Sequence, residues 1–216
     1  MKTILAVLGD VYHPAEMAEE ALREALKPVQ DAALRLADAE RLAEELAASP
    51  GAVVLFKMDR PVPVRGEDGA ERGWLTAQVQ ESIARYVERG GSWLAWHSGL
   101  SFRDPDGPYG RMLRGRFLHH PDGKRIVRYA GVPDPFGLAP PEAFDLPDEH
   151  YFVECDTSAT HVFLRSFSEE GESAAGWAHR HGRGKVCAFA PAHDRGGLAH
   201  PGTMDTLGRI LRWLLE

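Results

Sequence analysis

Two imidazoles stand where apolar runs stop: His97 closes "SWLAW" (92–96), and His193 follows "KVCAFAPA" (185–192). Histidine changes charge near neutral pH and also ligates metals, so these two can serve as proton carriers or as ligands. Adjacent carboxylates, Asp148 and Glu149, precede the run "YFVECD". Successive residues of an extended chain point to opposite faces, so one of the pair is expected in a cleft, and Glu149 is chosen, with Tyr151 on its face. A carboxylate there would act as general base, metal ligand or orienter of a histidine. His13 and Asp10, in "GDVYHPAE", could reach the same edge, although a residue before Pro14 is at least as readily a helix-entry residue. His119, His120 and His150 carry less when taken singly.

Several chemistries are excluded by spacing. Ser98 adjoins His97, but neighbouring residues are poorly placed for a nucleophile–base bond, and no G-x-S-x-G occurs. Neither GxGxxG nor GxxxxGK[ST] is present, so no nucleotide cofactor is expected. The loop after the first strand lacks the Ser/Thr/Gly-rich cradle that a flavin phosphate needs. HExxH is absent, so a metal site would have to be assembled from distant loops.

The elements that would position these residues follow from hydrophobic patterning. Thr3–Leu8, "DAALRL" and "AVVLF" (52–56) read as strands, the last with the continuous apolar character of a strand buried on both faces. Helices are expected in "HPAEMAEEALREALKP" (13–28), ended by Pro28, in "DAERLAEELAASPG" with Asp38 as N-cap and Gly51 after its end, and from about Thr76 to Glu88. Asp59–Gly73 reads as a surface loop. This βα alternation predicts a doubly wound parallel sheet whose ligands collect beyond the carboxyl ends of the strands, where His97 lies. Past residue 120 the pattern changes to short strands: "RIVRY", "YFVECD", "HVFLRSF", "ESAAGWAHR" and "KVCAFAPA", with "HGRGK" as a hairpin and a closing helix Thr203–Leu215. Without repeats or low-complexity segments, residues 1–216 are expected to form one domain. Trp93 and Trp213 belong to apolar runs; Trp96, beside His97, could face either core or ligand.

Composition narrows the partners. A formal charge of -7, with acids and bases interspersed, argues against a nucleic-acid binder. No run approaches the roughly 20 apolar residues of a membrane span. The opening "MKTILAVLGD" reads as a buried strand, not a signal peptide. Only Cys155 and Cys187 occur, neither in a CxxC pair, as suits reduced thiols in the cytoplasm.

The stretches "GGSWLAWHSG", "GRFLHHP", "DEHYF", "AAGWAHRHGRGKVCAFAPAHD" and "HPGTMDTLGRILRWLL", in that order, resemble the trehalose-utilisation (ThuA-like) family of the class I glutamine amidotransferase-like superfamily. The resemblance implies a flavodoxin-like α/β fold: a doubly wound, mostly parallel sheet with helices on both faces and added antiparallel strands in the C-terminal half. In amidotransferases of that superfamily a cysteine nucleophile occupies a G-x-C-x-G elbow; the matching "AWHSG" puts His97 there, so glutaminase activity is not expected. Carried over residue by residue, the resemblance selects His97, His120, Glu149, Tyr151 and His193. His97, Glu149 and His193 are then the expected catalytic groups, with His120, Tyr151, Trp96 and Ser98 at the substrate. His97, His120, Glu149 and His193 are the expected ligands of a divalent metal such as zinc. The implied role is carbohydrate catabolism, of trehalose or a related disaccharide or its oxidised form, in a cytoplasmic protein for which a homodimer is the common default. The alternative is a sugar-binding or assembly module that has lost the ancestral reaction.

Overall fold

The computed structural model describes residues 2–29, 31–59 and 73–216. The chain opens with β1 (Lys2–Leu8), α1 (Ala15–Leu26) and β2 (Ala32–Leu36). A 3₁₀ turn, Ala39–Arg41, then leads into α2 (Leu42–Ala47), followed by β3 (Ala52–Phe56), α3 (Ala77–Glu88) and β4 (Ser92–Trp96). All five residues of β3 and of β4 are buried, as strands covered on both faces require. α1 buries Ala18, Ala21, Leu22, Ala25 and Leu26, a stripe at helical spacing. α3 is N-capped by Thr76, whose side chain accepts from the Val79 amide.

After β4 come a 3₁₀ turn (His97–Leu100), α4 (Pro108–Leu113), β5 (Gly115–His119), β6 (Arg125–Gly131), β7 (Phe144–Asp148) and β8 (Phe152–Cys155). The chain ends with β9 (His161–Ser168), β10 (Gly171–His181), β11 (Gly184–Phe189), α5 (Arg195–Leu198) and α6 (Pro201–Leu215). Among the described residues the main sheet has nine strands in the order β2-β1-β3-β4-β11-β10-β9-β6-β7, and β5 pairs with β8 separately. β2, β1, β3, β4 and β11 run parallel; the rest are added antiparallel. α1 packs on α5 and α6, α3 on α2 and α4, giving the helical layers of a doubly wound sheet.

The helix expected from Asp38 is shorter than its pattern. Asp38 makes no side-chain capping bond, the chain first takes a 3₁₀ turn, and Ser49 at φ 51° followed by Pro50 stops the helix. Of the expected loop Asp59–Gly73, residues 60–72 lie outside the described residues. Asp59 itself is buried and anchored: its amide donates to the Ser101 carbonyl (2.9 Å) and its carboxylate accepts from the Leu75 amide (3.0 Å).

Candidate metal centre

β4 and β11 lie side by side with Trp96 opposite Phe189, so the next residues, His97 and Ala190, leave the sheet together. His97 Nδ1 lies 2.7 Å from the Ala190 carbonyl oxygen. A carbonyl only accepts, so Nδ1 carries the proton and Nε2 presents a lone pair to the other side of the ring. The backbone turns there with His97 at φ 45°, a left-handed conformation that costs about 1–3 kcal/mol for a side-chain-bearing residue and aims the imidazole over the strand ends. The turn hugs β3: a Cβ on Gly99 would stand 2.4 Å from the Leu55 carbonyl oxygen.

His13 enters from the loop after β1. Its Nδ1 is 2.7 Å from Asp10 Oδ1, while its Nε2 is buried and has no hydrogen-bond partner among the described residues. Asp10 is itself fixed by the amides of Tyr12 and Met58, each 3.0 Å away. Burial opposes ionisation of Asp10, but the His13 bond and these amides outweigh it and hold the carboxyl at about 2. The carboxylate therefore accepts from His13 Nδ1–H, which turns Nε2 to the other side of the ring.

Glu149, in the connection between β7 and β8, and His193, beyond β11, complete the group. Glu149 Oε2 lies 3.1 Å from His193 Nδ1, 3.7 Å from His120 Nε2 and 3.9 Å from His97 Nε2. His97 Nε2 and His193 Nδ1 are 3.4 Å apart. One donor atom from each of His13, His97, Glu149 and His193 falls within 4.8 Å of the others. Donors placed about 2.0–2.1 Å from one tetrahedral cation stand about 3.3 Å apart, the scale of the closest separations here. Both buried imidazoles have Nδ1 tied to an oxygen, the outer bond that fixes ring orientation and tautomer in metal-ligating histidines.

Electrostatics distinguish the members. Burial drives His97 well below the ordinary histidine range, with His13 and His193 adding to the effect, so the ring is neutral. The Glu149 hydrogen bond raises His193 against the cost of its burial. Burial would raise Glu149, yet bonding to His193 and the nearby imidazoles hold it below its ordinary value. Tyr151 lies between two of the histidines, stacked on His97 (centroids 4.2 Å apart, planes at 21°) and nearly parallel to His120 (5.9 Å, 10°). His120 Nδ1 is 2.8 Å from the Pro121 carbonyl oxygen, and its Nε2 is turned toward Glu149.

His97, Glu149 and His193 are thus brought together, with His120 and Tyr151 beside them. His13 belongs to the four-residue group that His120 was expected to complete. Its signal was Asp10 three residues earlier, with the strand end between β1 and α1. Trp96 and Ser98, expected to touch substrate, are fully buried. The Trp96 indole packs against Phe56 and donates to the Pro191 carbonyl, as a buried indole N–H must, which takes it out of the cleft wall. Asp148 contributes no ligand atom to the group; its carboxylate is held by the Tyr129 hydroxyl and by backbone amides. His150 bonds to Ser166 and Ser168 inside the fold. Cys187 is buried within β11 and Cys155 lies on β8, so neither supplies a thiol to the turn at His97.

The model of the trehalose-utilisation family (ThuA) matches residues 8–214. A comparison with curated proteins finds no match. Among solved structures, a ThuA-like protein from Bacteroides uniformis ATCC 8492 superposes with a TM-score of 0.72 at 15% identity, covering 99% of this chain and 91% of that one. A cytoplasmic protein from Salmonella typhimurium LT2 gives 0.65 at 14% identity, with 98% of each chain covered. The β-galactosidase of Rahnella sp. R3 gives 0.63 at 16%, over 98% of this chain but 31% of its own. At these identities the likeness is one of fold.

Proposed function

The chain belongs to the trehalose-utilisation (ThuA) family, and on that premise we propose that it is a cytoplasmic, metal-dependent enzyme acting on a carbohydrate of the disaccharide class. The observation that carries the reading is the buried Nε2 of His13, without a hydrogen-bond partner among the described residues, braced through Nδ1 by an ionised carboxylate and directed to a group that already holds His97, Glu149 and His193. A buried polar atom without a partner is costly, and a cation would satisfy it. Three neutral-capable imidazoles with one carboxylate suit zinc or a similar divalent ion.

When bound, such a cation would polarise a sugar carbonyl or hydroxyl. The chain's own residues do the rest. His13 and His97 form the floor, their tautomers fixed by Asp10 and Ala190. Glu149 and His193 close the set from two loops. His120, about one-third exposed and with Nε2 toward Glu149, stands at the rim to exchange a proton with a substrate C–H or O–H. Tyr151 keeps the His120 and His97 rings parallel. Glutaminase activity is not part of this reading, because the turn at His97 offers an imidazole in place of a thiol.

The reading is tested by assaying zinc-supplemented protein on trehalose, related disaccharides and their keto forms. Turnover is expected, His120→Ala should lower kcat by about 10²–10⁴ while retaining metal, and Glu149→Ala should lose both. Saturable sugar binding with no product from any of these substrates would contradict it and favour a binding module.

A further inference from the structure

Glu149 and His193 come from connections 44 residues apart, yet their side chains sit 3.1 Å from one another. Neither lies within a strand or helix, so the sheet ladder does not set that spacing. One carboxylate spans both connections. Asp148 Oδ1 accepts from the backbone amide of Glu149 (2.9 Å) and from that of His193 (2.9 Å). Its Oδ2 accepts from the Tyr129 hydroxyl at 2.8 Å, on β6 of the main sheet. Asp148 is 1% exposed and Tyr129 likewise, so the carboxylate is a fixed post and not a solvated turn.

We propose that Asp148 is a positioning residue that sets the spacing of Glu149 and His193 by binding the backbone amides of both and is itself held to the sheet by Tyr129. The proposal rests on the metal-site reading for its consequence, though not for its geometry. A buried acid is a costly way to cap two amides, since each hydrogen bond could be made by a neutral group. A carboxylate oxygen has the lone pairs to take both amides at once while its second oxygen is bonded to the sheet. The residue acts through the ligands and does not touch the cation or substrate. Its role parallels that of Asp10 on His13, with the difference that Asp10 orients a ring and Asp148 orients two backbones.

Two readouts test this. Hydrogen exchange in the metal-free protein reports the amides of Glu149 and His193 directly. Competition with a chromophoric chelator reports zinc affinity. Asp148→Ala should abolish protection of both amides and weaken zinc about 10–100-fold, the usual scale for loss of an outer-shell partner. Asp148→Asn keeps an acceptor oxygen and should retain protection and bind zinc within about threefold of wild type. Leu42→Ala, a buried change in α2, controls for general destabilisation and should leave both readouts unchanged. Should Asp148→Ala not fold, Asp148→Glu decides, because it shifts the carboxylate by a methylene and should weaken zinc at least about tenfold. Undiminished amide protection and zinc affinity in the decisive variant, or an equal loss in Leu42→Ala, would overturn the proposal. Absence of zinc binding in the wild type would sink the metal reading instead, and amide protection alone would then decide whether Asp148 holds the two backbones.

Discussion

At the scale of single residues, the site is a problem of where protons reside. His97 spends Nδ1–H on an oxygen and, neutral in its buried setting, need not release a proton to bind a cation through Nε2. His193 differs. Its Nδ1 faces Glu149, which raises its proton affinity, while Glu149 is held below its own ordinary value. Between the lowered value of Glu149 and the raised value of His193 the pair is ionised, and zinc must displace the His193 proton. Apparent zinc affinity should therefore rise about tenfold per pH unit across that window, with about one proton released per ion. Calorimetry in two buffers of different ionisation enthalpy measures that number directly. Zinc uptake with no proton released would mean that His193 is not a ligand. In the sequence, His97, Glu149 and His193 were legible because each follows or adjoins a strand end. His13 was masked by Pro14, whose presence makes any preceding residue look like helix entry.

At the scale of elements, the turn after β4 is decisive. It places a left-handed His97 and packs so closely on β3 that Gly99 has no room for a side chain: the nearest atom to an added Cβ is backbone oxygen, which cannot swing away. Gly99→Ala should cost about 1–3 kcal/mol, the range for forced overpacking, and should push the His97 imidazole off the group. Denaturant unfolding and zinc affinity measured together test this; a variant of wild-type stability and affinity would show that the turn has slack. The strands that build this turn were readable because "AVVLF" and "SWLAW" are apolar throughout, as a doubly covered parallel sheet demands. Short β5 and β7 escaped because "GRFLH" and "FDLPD" mix polar residues, and a proline, into exposed or edge positions. Their pairing with β8 and β6 is a tertiary choice that no local pattern states. Likewise the antiparallel strands were visible one by one, whereas their addition to the far side of β11 was not.

At the scale of the whole molecule, buried titratable groups set the response to acid. His97 and His150 are lowered chiefly by burial, and burial takes His179 to about 4. A histidine neutral in the fold but protonated when unfolded contributes stability that is complete above its ordinary value of 6.5 and is lost as pH falls below it. Each costs about 1.4 kcal/mol per pH unit while it stays neutral in the fold. Asp148 pulls the other way: burial raises it from 3.8 to about 6, so the fold gains on its account as pH falls between those values. His193, raised, loses its contribution only as pH climbs through its folded value. Three losses against one gain predict that metal-free protein becomes less stable from pH 6.5 to pH 5, seen as a falling urea midpoint. A flat or rising midpoint would show that these histidines are protonated in the fold.

The central claim is that His13, His97, Glu149 and His193 hold one divalent cation, and elemental analysis tests it most directly. The protein, prepared without a histidine tag, would be incubated with zinc, desalted and analysed beside His97→Ala and His13→Ala. One zinc per wild-type chain and stoichiometric metal in neither variant are expected. Wild-type protein without stoichiometric metal, or variants that retain it in full, would contradict the account.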